Sequence, residues 1–378
     1  MKVFVIAGEP SGDALGAALM DGLATLGQQV DYQGIGGPLM QAQGLTSQFP
    51  MSELSLMGIA EILPKYMHLK RRIRETVDAV LAAQPDVLLT IDSPDFCLRV
   101  AKAVKAQSTI RTVHYVAPTV WAWRPKRAAK MAGVIDHVLA LFPFEPPLMQ
   151  AEGMGCDFVG HPVVAQPVAT PEQVQSFRAS LNLSPDAPLV LALPGSRRSE
   201  VSRLAPIFGQ ACRDILDAHP NAQVIVPAAP SVAALVQEVT QTWSAPVCVV
   251  DSADAAMKRA AFGAADVALA ASGTVSLELA AADTPMVIAY DMNWISRQII
   301  GRMLLVDTVT LVNLVSETRA VPEYIGPDCQ PAQISAAALR VLADPTAQHD
   351  AMAKTMKALG RGGQAPGVRA AQALLNAV

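Results

Sequence analysis

Residues 189–201, LVLALPGSRRSEV, indicate the fold class of this 378-residue chain. The first five are apolar, which is typical of a strand buried on both faces of a parallel sheet. Pro194, Gly195 and Ser196 then form a sharp turn before a helical pattern. Such a turn presents backbone N–H groups, and Arg197 adds a guanidinium, so these residues predict a phosphate-binding turn. An ordinary strand-to-helix connection with solvated arginines is the alternative that they leave open.

The same order of apolar run, loop and helical pattern recurs on both sides of this stretch. Comparable runs occupy residues 2–7, 85–90, 109–116, 136–142 and 157–159, and then residues 223–226, 247–250, 266–270 and 286–290. Strands that alternate with helices predict parallel sheets covered by helices. We therefore expect an α/β protein with two Rossmann-like parallel-sheet domains that face each other across a cleft.

A proline-rich segment, residues 163–188, separates the two sets of strands and marks the expected domain boundary. We expect the first domain to span residues 1–165 and the second residues 166–345. Residues 346–378 have an alanine-rich helical pattern, and we expect them to pack back on the first domain.

Composition excludes several classes of protein. Hydrophobic residues make up 51% of the chain and charged residues 16%, which indicates a globular protein with large cores. The net charge of −4 disfavours a protein whose whole surface binds nucleic acid. The five cysteines are far apart and form no CxxC pair, so they predict neither a disulfide framework nor a zinc site. A reducing cytoplasm fits this pattern best.

Polar side chains follow two of the predicted strands in the first half. Glu9, Ser11 and Asp13 come after the run at residues 2–7, and Asp92 and Asp95 come after the run at residues 85–90. An open α/β sheet carries its catalytic groups in the loops at the carboxyl ends of its strands. Asp92 and Asp95 are therefore candidate catalytic groups, with helix capping as the alternative for this pair and for Asp13.

Trp121 and Trp123 lie next to Arg124, Lys126 and Arg127, after the predicted strand at residues 109–116. Aromatic rings can stack on sugars, and the basic side chains beside them can hold a phosphate. Packing in the core is the alternative role of the tryptophans.

A second ligand loop is predicted in the second half. Ser272, Gly273 and Thr274 follow the run at residues 266–270, and small residues let a backbone approach a ligand closely. Glu278 falls one turn into the next helix, where a carboxylate can accept hydrogen bonds from ribose hydroxyls. A helix start with an acid in its first turn is the alternative.

Residues 54–74 combine an apolar stripe at helical spacing with a basic cluster. This pattern suits the surface of a membrane that contains anionic lipid. A core helix with a solvated basic face is the alternative, and Pro64 interrupts the pattern. The cluster consists of Lys65, Lys70, Arg71, Arg72 and Arg74.

Six of these stretches together resemble the lipid A disaccharide synthase family of inverting glycosyltransferases with the GT-B fold. They occur in the family's order, and the resemblance runs from the first strand to about Asn313. The motifs are GEPSGD at 8–13, IDSPDF at 91–96, VAPTVWAWRPKR at 116–127, VGHP at 159–162, LPGSRRSEV at 193–201 and ASGTVSLE at 271–278.

The resemblance implies a transfer between two acylated glucosamine units. The donor would be UDP-2,3-diacylglucosamine and the acceptor 2,3-diacylglucosamine 1-phosphate (lipid X). The products would be a β-1,6-linked disaccharide phosphate and UDP. The resemblance also implies work at the cytoplasmic face of the inner membrane, without a metal or an organic cofactor. A homodimer is compatible with the sequence.

The resemblance also assigns roles to single residues. Asp95 would be the general base, with Asp92 as the second candidate. His161 would lie near the hinge between the domains. The UDP-sugar would contact Gly195, Ser196, Arg197, Ser272, Gly273, Thr274, Glu278 and Asn313, and the acceptor side would hold Glu9, Ser11, Asp13 and Trp123.

Two other functions stay open on the sequence alone. One is a nucleotide-sugar epimerase on the same two-domain fold, which needs no acceptor. The other is a nucleotide-sugar or lipid-binding protein without catalysis. The acid pair and the apolar, basic residues 54–74 favour the transferase.

Overall fold

The structure, a computed structural model, describes residues 1–54, 59–184, 186–251, 253–292 and 303–378, and only the backbone of residues 59–66. The chain forms two compact units. The first consists of Met1–Ala165 together with Leu359–Val378, and the second of Gln166–Ala358.

Each unit contains one sheet, and every strand pairing in the described residues is parallel. The first sheet contains β1 Lys2–Ala7, β2 Asp31–Ile35, β3 Thr46–Ser47, β4 Val87–Ile91, β5 Arg111–Tyr115, β6 His137–Ala140 and β7 Gly155–Phe158. The second contains β8 Leu189–Leu193, β9 Gln223–Ala228, β10 Val247–Asp251, β11 Val267–Ala270, β12 Met286–Tyr290 and β13 Glu323–Ile325. The strand orders are β3-β2-β1-β4-β5-β6-β7 and β10-β9-β8-β11-β12-β13.

Helices connect the strands. Those of the first half are α1 Pro10–Thr25, α2 Pro38–Ala42, α3 Ile59–Ala83, α4 Pro94–Lys105, α5 Lys126–Ala132 and α6 Pro146–Gln150. They are followed by α7 Pro171–Ser180, α8 Arg198–Ala218, α9 Ala233–Thr240, α10 Ala255–Ala264, α11 Val275–Ala281, α12 Leu311–Ser316, α13 Pro331–Ala343, α14 Thr346–Ala358 and α15 Pro366–Ala377. Short 3-10 turns occur at Met51–Glu53, Pro162–Ala165, Pro230–Val232 and Gly326–Asp328.

The central strands are apolar on both sides because both faces of each sheet are covered. Every residue of β4 and β8 is buried. In β1, Phe4 and Ile6 belong to the core that also contains residues of α3 and α4. Val3 and Val5 alternate with them and are also buried, since successive side chains of a strand point to opposite faces. The two predicted parallel-sheet domains are thereby confirmed.

The strand orders place a topological switch point in each sheet. In the first, the chain moves outward from β1 to β3 and then returns to the other side of β1 with β4. In the second, it moves from β8 to β10 and returns beside β8 with β11. Ligands of open α/β sheets bind outside the carboxyl ends of the strands at such points. The loops after β1, β4, β8 and β11 are therefore where function is expected.

The end of the second unit differs from the predicted boundary. We expected residues 346–378 to pack back on the first domain, but α14 belongs to the second unit. The buried side chain of Gln348 on α14 accepts a hydrogen bond from the N–H of Met286 (2.7 Å) and donates one to its carbonyl (2.9 Å). These bonds attach α14 to the first residue of β12, so the chain returns to the first unit only at Leu359.

A close backbone contact joins α15 to α1. A Cβ atom placed on Gly22 would lie 2.4 Å from the carbonyl oxygen of Gly367. A Cβ atom on Gly367 would lie 2.3 Å from the carbonyl oxygen of Ala18. Because both obstacles are backbone atoms, neither position has room for a side chain.

We therefore expect Gly22→Ala to lower the free energy of unfolding by about 1–3 kcal/mol, the usual cost of overpacking, although alanine favours a helix. Urea unfolding measures this change. Gly133→Ala is the control, because φ at Gly133 is −71° and its Cβ would meet nothing closer than 3.8 Å. Equal stability of the Gly22→Ala variant and the wild type would contradict the packing of α15 on α1.

Candidate active site

A cavity of about 430 Å³ lies at the carboxyl ends of β8 and β11 in the second unit. It is lined by all but one of the residues predicted to hold the UDP-sugar, which come from the two loops at the switch point and from α11. These are Gly195, Ser196, Arg197, Ser272, Gly273, Thr274 and Glu278.

The turn after β8 presents its N–H groups to a negatively charged oxygen. Oε2 of Glu200 accepts hydrogen bonds from the N–H groups of Ser196 (3.1 Å) and Arg197 (3.3 Å). Oε1 of the same side chain accepts one from Nη1 of Arg197 (3.1 Å). Gly195 permits this arrangement, since its φ is 111° and a Cβ there would lie 2.6 Å from Oε2 of Glu200. A phosphate oxygen bound at these N–H groups would take the place of the Glu200 carboxylate.

The loop after β11 leaves open space beside the turn. Gly273 has a φ of 142°, a conformation that other residues rarely adopt, and a Cβ there would meet no atom within 4 Å. Glu278 on α11 forms an ion pair with Lys258 of α10, which also lines the cavity. The sequence interpretation missed Lys258, because a lysine inside a helix far from any motif carries no local signal.

Asn313 does not line this cavity. Its side chain is fully buried, and its amide donates to the carbonyl of Val321 (2.9 Å) and to Oγ1 of Thr308 (3.3 Å). Its Oδ1 accepts the N–H of Val321 (3.0 Å). The side chain therefore joins α12 to Thr308 and Val321, which flank it in sequence.

A second cavity, of about 820 Å³, lies at the carboxyl edge of the first sheet. Asp92 and Asp95 both line it, the first half-buried and the second exposed. Other lining residues come from β5, from the loop after it and from α5. They include His114, Val116, Arg124, Lys126, Arg127 and Lys130.

Unusual backbone conformations concentrate around this cavity. Asp92, Val116 and Arg124 have φ angles of 50°, 85° and 53°, and Ser93 beside Asp92 has 44°. For the β-branched Val116 such an angle is a genuine outlier. The N–H of Asp92 donates to the carbonyl of Tyr115 (3.0 Å) and that of Val116 to the carbonyl of Leu139 (3.0 Å), which holds both residues in place. Strain of this kind is typical of functional sites.

His114 contributes a neutral imidazole to the cavity. It is buried, and this lowers its pKa to about 4. Oγ1 of Thr90 lies 2.7 Å from Nδ1 of His114 and donates its own proton to the carbonyl of Val113 (3.2 Å). We therefore assign the imidazole proton to Nδ1, which leaves Nε2 as an acceptor. Sequence reasoning missed His114 as a cavity residue, because a histidine within a buried strand carries no local signal of function.

The residues predicted on the acceptor side do not line this cavity. Asp13 is buried, and its carboxylate accepts the N–H groups of Gly37 (2.9 Å), Leu39 (3.0 Å) and Met40 (3.0 Å) at the start of α2. Glu9 is half-buried and Ser11 exposed at the start of α1. Trp123 is half-buried, with the guanidinium carbon of Arg124 4.3 Å from its ring centroid. Asp13 is thus a structural anchor.

His161, predicted near the hinge, is buried close to the point where Leu359 returns to the first unit. Its N–H donates to the carbonyl of Leu359 (3.1 Å), and its Nδ1 accepts the N–H of Val163 (3.2 Å). Burial lowers its pKa to about 4, so the ring is neutral.

Glu145 of the first unit is also buried, and burial raises the pKa of its carboxyl group to about 7. This shift occurs although the carboxyl group accepts a hydrogen bond from the indole N–H of Trp121 (3.2 Å).

Replacing Asp13 separates its structural role from the predicted contact with a substrate. Asp13→Ala leaves three backbone N–H groups without an acceptor, and we expect the free energy of unfolding to fall by about 3 kcal/mol. Urea unfolding measures this, and Ser11→Ala, an exposed change on the same helix, is the control. An Asp13→Ala variant as stable as the wild type would contradict the anchor.

The sequence matches known proteins over its whole length. Residues 3–376 match the family model described as Lipid-A-disaccharide synthetase. The chain is 62% identical over 382 residues to the Lipid-A-disaccharide synthase of Ruegeria pomeroyi, with 100% of this chain and 95% of that protein covered. It is 45% identical over 384 residues to the protein of the same name from Rhodospirillum centenum, again with 100% and 95% covered.

Solved structures share the fold at low sequence identity. The UDP-GlcNAc 2-epimerase from Neisseria meningitidis, solved with UDP-GlcNAc, has a TM-score of 0.64 at 12% identity and covers 100% of this chain and 99% of its own. MurG of Acinetobacter baumannii has a TM-score of 0.55 at 12% identity, with 94% of each chain covered. At these identities the likeness shows the fold alone. The family, in contrast, follows from the sequence: this chain belongs to the lipid-A-disaccharide synthase family.

Proposed function

We propose that this chain condenses UDP-2,3-diacylglucosamine with 2,3-diacylglucosamine 1-phosphate. The products are the β-1,6-linked lipid A disaccharide 1-phosphate and UDP. The observation that carries the proposal is the content of the two cavities: one combines a phosphate-type turn with Glu278, and the other contains two carboxylates. Family membership selects this reaction among those that such groups can perform.

The second-unit cavity supplies what the leaving UDP requires. Its diphosphate carries negative charge that must be stabilised as the bond to the sugar breaks. The N–H groups of Ser196 and Arg197, with the Arg197 guanidinium, would bind the phosphates once Glu200 yields its place. The carboxylate of Glu278 would accept hydrogen bonds from the ribose hydroxyls, while Lys258 neutralises the negative charge of Glu278.

The first-unit cavity supplies the base. The acceptor's 6-hydroxyl must lose a proton as it attacks the anomeric carbon from the side opposite UDP, and this displacement inverts that carbon. Asp95 is the favoured base, because its carboxylate is exposed in the first turn of α4 and lines the cavity. Asp92, half-buried in a strained turn, is the second candidate.

We further propose that the reaction needs neither a metal nor an organic cofactor. Arg197 and the N–H groups of the turn, which line the cavity, would provide the charge compensation that a metal ion gives in other transferases. In the described part of the chain, no three His, Cys, Asp or Glu side chains are grouped so as to hold a metal ion.

The alternatives have less support. The structural likeness to UDP-GlcNAc 2-epimerases reflects a shared fold at 12% identity. An epimerase acts on one substrate, so it gives no reason for a separate first-unit cavity with carboxylates and basic side chains. A binding protein without catalysis would not depend on Asp95, and the variants below distinguish it from an enzyme.

We also propose that the enzyme binds the cytoplasmic face of the inner membrane peripherally. Within the described residues, no helix has the length and apolar character needed to cross a bilayer. On α3, Met67 is 73% exposed, and Lys70, Arg71 and Arg74 are exposed around it. Residues 55–58 of the predicted stretch, and the side chains of residues 59–66, lie outside the described part.

Arg72 differs from the rest of the basic cluster. Its guanidinium donates to Glu53 through Nε (2.7 Å) and Nη2 (2.8 Å), and to Glu75 through Nη1 (2.8 Å). It also lies over the ring of Phe49. Through these contacts Arg72 holds α3 to the 3-10 turn Met51–Glu53. We therefore assign the lipid contact to Lys70, Arg71 and Arg74, which are exposed.

Asp95→Ala and Arg197→Ala form a reciprocal test of the two cavities. We expect Asp95→Ala to lower turnover at least about a hundredfold, the usual contribution of a general base, with unchanged affinity for UDP. Arg197→Ala should weaken UDP binding about tenfold, since it removes a charge-assisted hydrogen bond. UDP release and calorimetric titration with UDP are the two measurements, and each variant is the control for the other. Near-normal turnover of Asp95→Ala would remove it as the base.

The membrane contact is tested by changing Lys70, Arg71 and Arg74 together to Ser. Because attraction to anionic lipid depends on these charges, binding to phosphatidylglycerol vesicles should weaken markedly while UDP affinity stays the same. A control variant with Arg99, Lys102 and Lys357 changed to Ser loses as many exposed charges elsewhere. Equal vesicle binding by the two variants would contradict the membrane contact and favour the alternative, in which residues 54–74 are a core helix with a solvated basic face.

A further inference from the structure

The first-unit cavity contains more positive charge than a base site requires. Arg124, Lys126, Arg127 and Lys130 all line it, from the loop after β5 and from α5. Asp92 and Asp95 line the same cavity from the turn between β4 and α4. Four cations thus face two carboxylates, which leaves the cavity positive while the chain as a whole is negative.

These cations are not committed to carboxylates of the protein. None of the ion pairs among the described residues includes Arg124, Lys126, Arg127 or Lys130. Elsewhere in the same unit, Lys105 is paired with Asp136 and Arg72 with Glu53. The four cations therefore keep their charge available to a ligand.

Two of the cations are held in position by Trp123. The guanidinium carbons of Arg124 and Arg127 lie 4.3 Å and 5.7 Å from its ring centroid. The indole N–H of Trp123 donates in turn to Oγ1 of Thr119 (3.0 Å). Arg124 itself has a left-handed backbone conformation, with φ of 53°. Because these side chains are already held in place, less conformational entropy is lost when a ligand binds them, which favours binding.

We propose that Arg124, Lys126, Arg127 and Lys130 form a phosphomonoester site, which binds the 1-phosphate of the acceptor sugar. This rests on the proposed function and assigns the part of the acceptor that the first unit recognises. A phosphomonoester carries about −1.5 to −2 charges at pH 7, which matches the excess of two cations. Guanidinium groups bind phosphate oxygens in pairs and add geometric selectivity.

The arrangement of the cavity fits both ends of such a sugar. In a hexose 1-phosphate, the ring separates the phosphate on C1 from the hydroxyl on C6. The cavity likewise receives its carboxylates and its cations from different elements, the β4–α4 turn and the β5–α5 connection. With the phosphate on the cations, the 6-hydroxyl is directed to the wall that contains Asp95.

The test compares two acceptors that differ only in the phosphate. Wild-type protein is assayed for UDP release with 2,3-diacylglucosamine 1-phosphate and with 2,3-diacylglucosamine. We expect Arg127→Gln and Lys130→Gln each to lower kcat/KM for the phosphorylated acceptor about tenfold, the usual effect of losing a charged hydrogen bond. The value for the phosphate-free acceptor and the KM for the donor should not change. Arg99→Gln and Lys102→Gln, exposed changes on α4 that do not line the cavity, are the controls.

A binding experiment tests the site independently of turnover. Glucosamine 1-phosphate should bind the wild type in calorimetry and lose its affinity in the double variant Arg127→Gln, Lys130→Gln, while UDP affinity is retained. If the wild type binds this probe but forms no disaccharide, the site stands and the proposed function fails. If the wild type does not bind it, or if both acceptors lose rate equally, the phosphate site is overturned. If the double variant still binds glucosamine 1-phosphate but no longer binds phosphatidylglycerol vesicles, the cations contact lipid headgroups instead, and the phosphate site is overturned as well.

Discussion

The parallel pairing of every described strand is the constraint on which the rest of this structure depends. It places the carboxyl ends of all strands of a sheet at one edge, where helices and loops begin. At the switch point of the first sheet, this brings the loops after β1 and β4 together. At that of the second, it brings together the turn at Gly195 and the loop at Gly273. In the second sheet, residues about 80 apart in sequence thereby line one cavity.

The two edges carry different chemistry on the same architecture. The second unit offers N–H groups and cations to a leaving diphosphate, and the carboxylate of Glu200 accepts hydrogen bonds from two of these N–H groups. The first unit offers carboxylates that can accept a proton, together with cations that have no carboxylate partner among the described ion pairs. A transfer reaction needs these two functions, one to stabilise the leaving group and one to activate the nucleophile.

Much of the fold could be predicted, because strands buried on both faces must be apolar throughout. The bounds of β1, β8 and β12 agree with the predicted runs. The motif residues of the second-unit cavity were also found from sequence, since turn chemistry is local. Features that depend on contacts of the folded chain could not be predicted in this way: the side chain of Asn313 bonds to Val321 and lies outside the cavity, and Gln348 attaches α14 to Met286. Lys258 and His114 were missed for the same reason, because only the folded sheet brings them to a cavity.

The most direct test is to incubate wild-type protein with both acylated sugars in the presence of a metal chelator. We predict that UDP and the β-1,6-linked disaccharide phosphate form in equal amounts, and only when donor and acceptor are both present. Isomerisation of UDP-N-acetylglucosamine, or release of UDP without disaccharide, would contradict it.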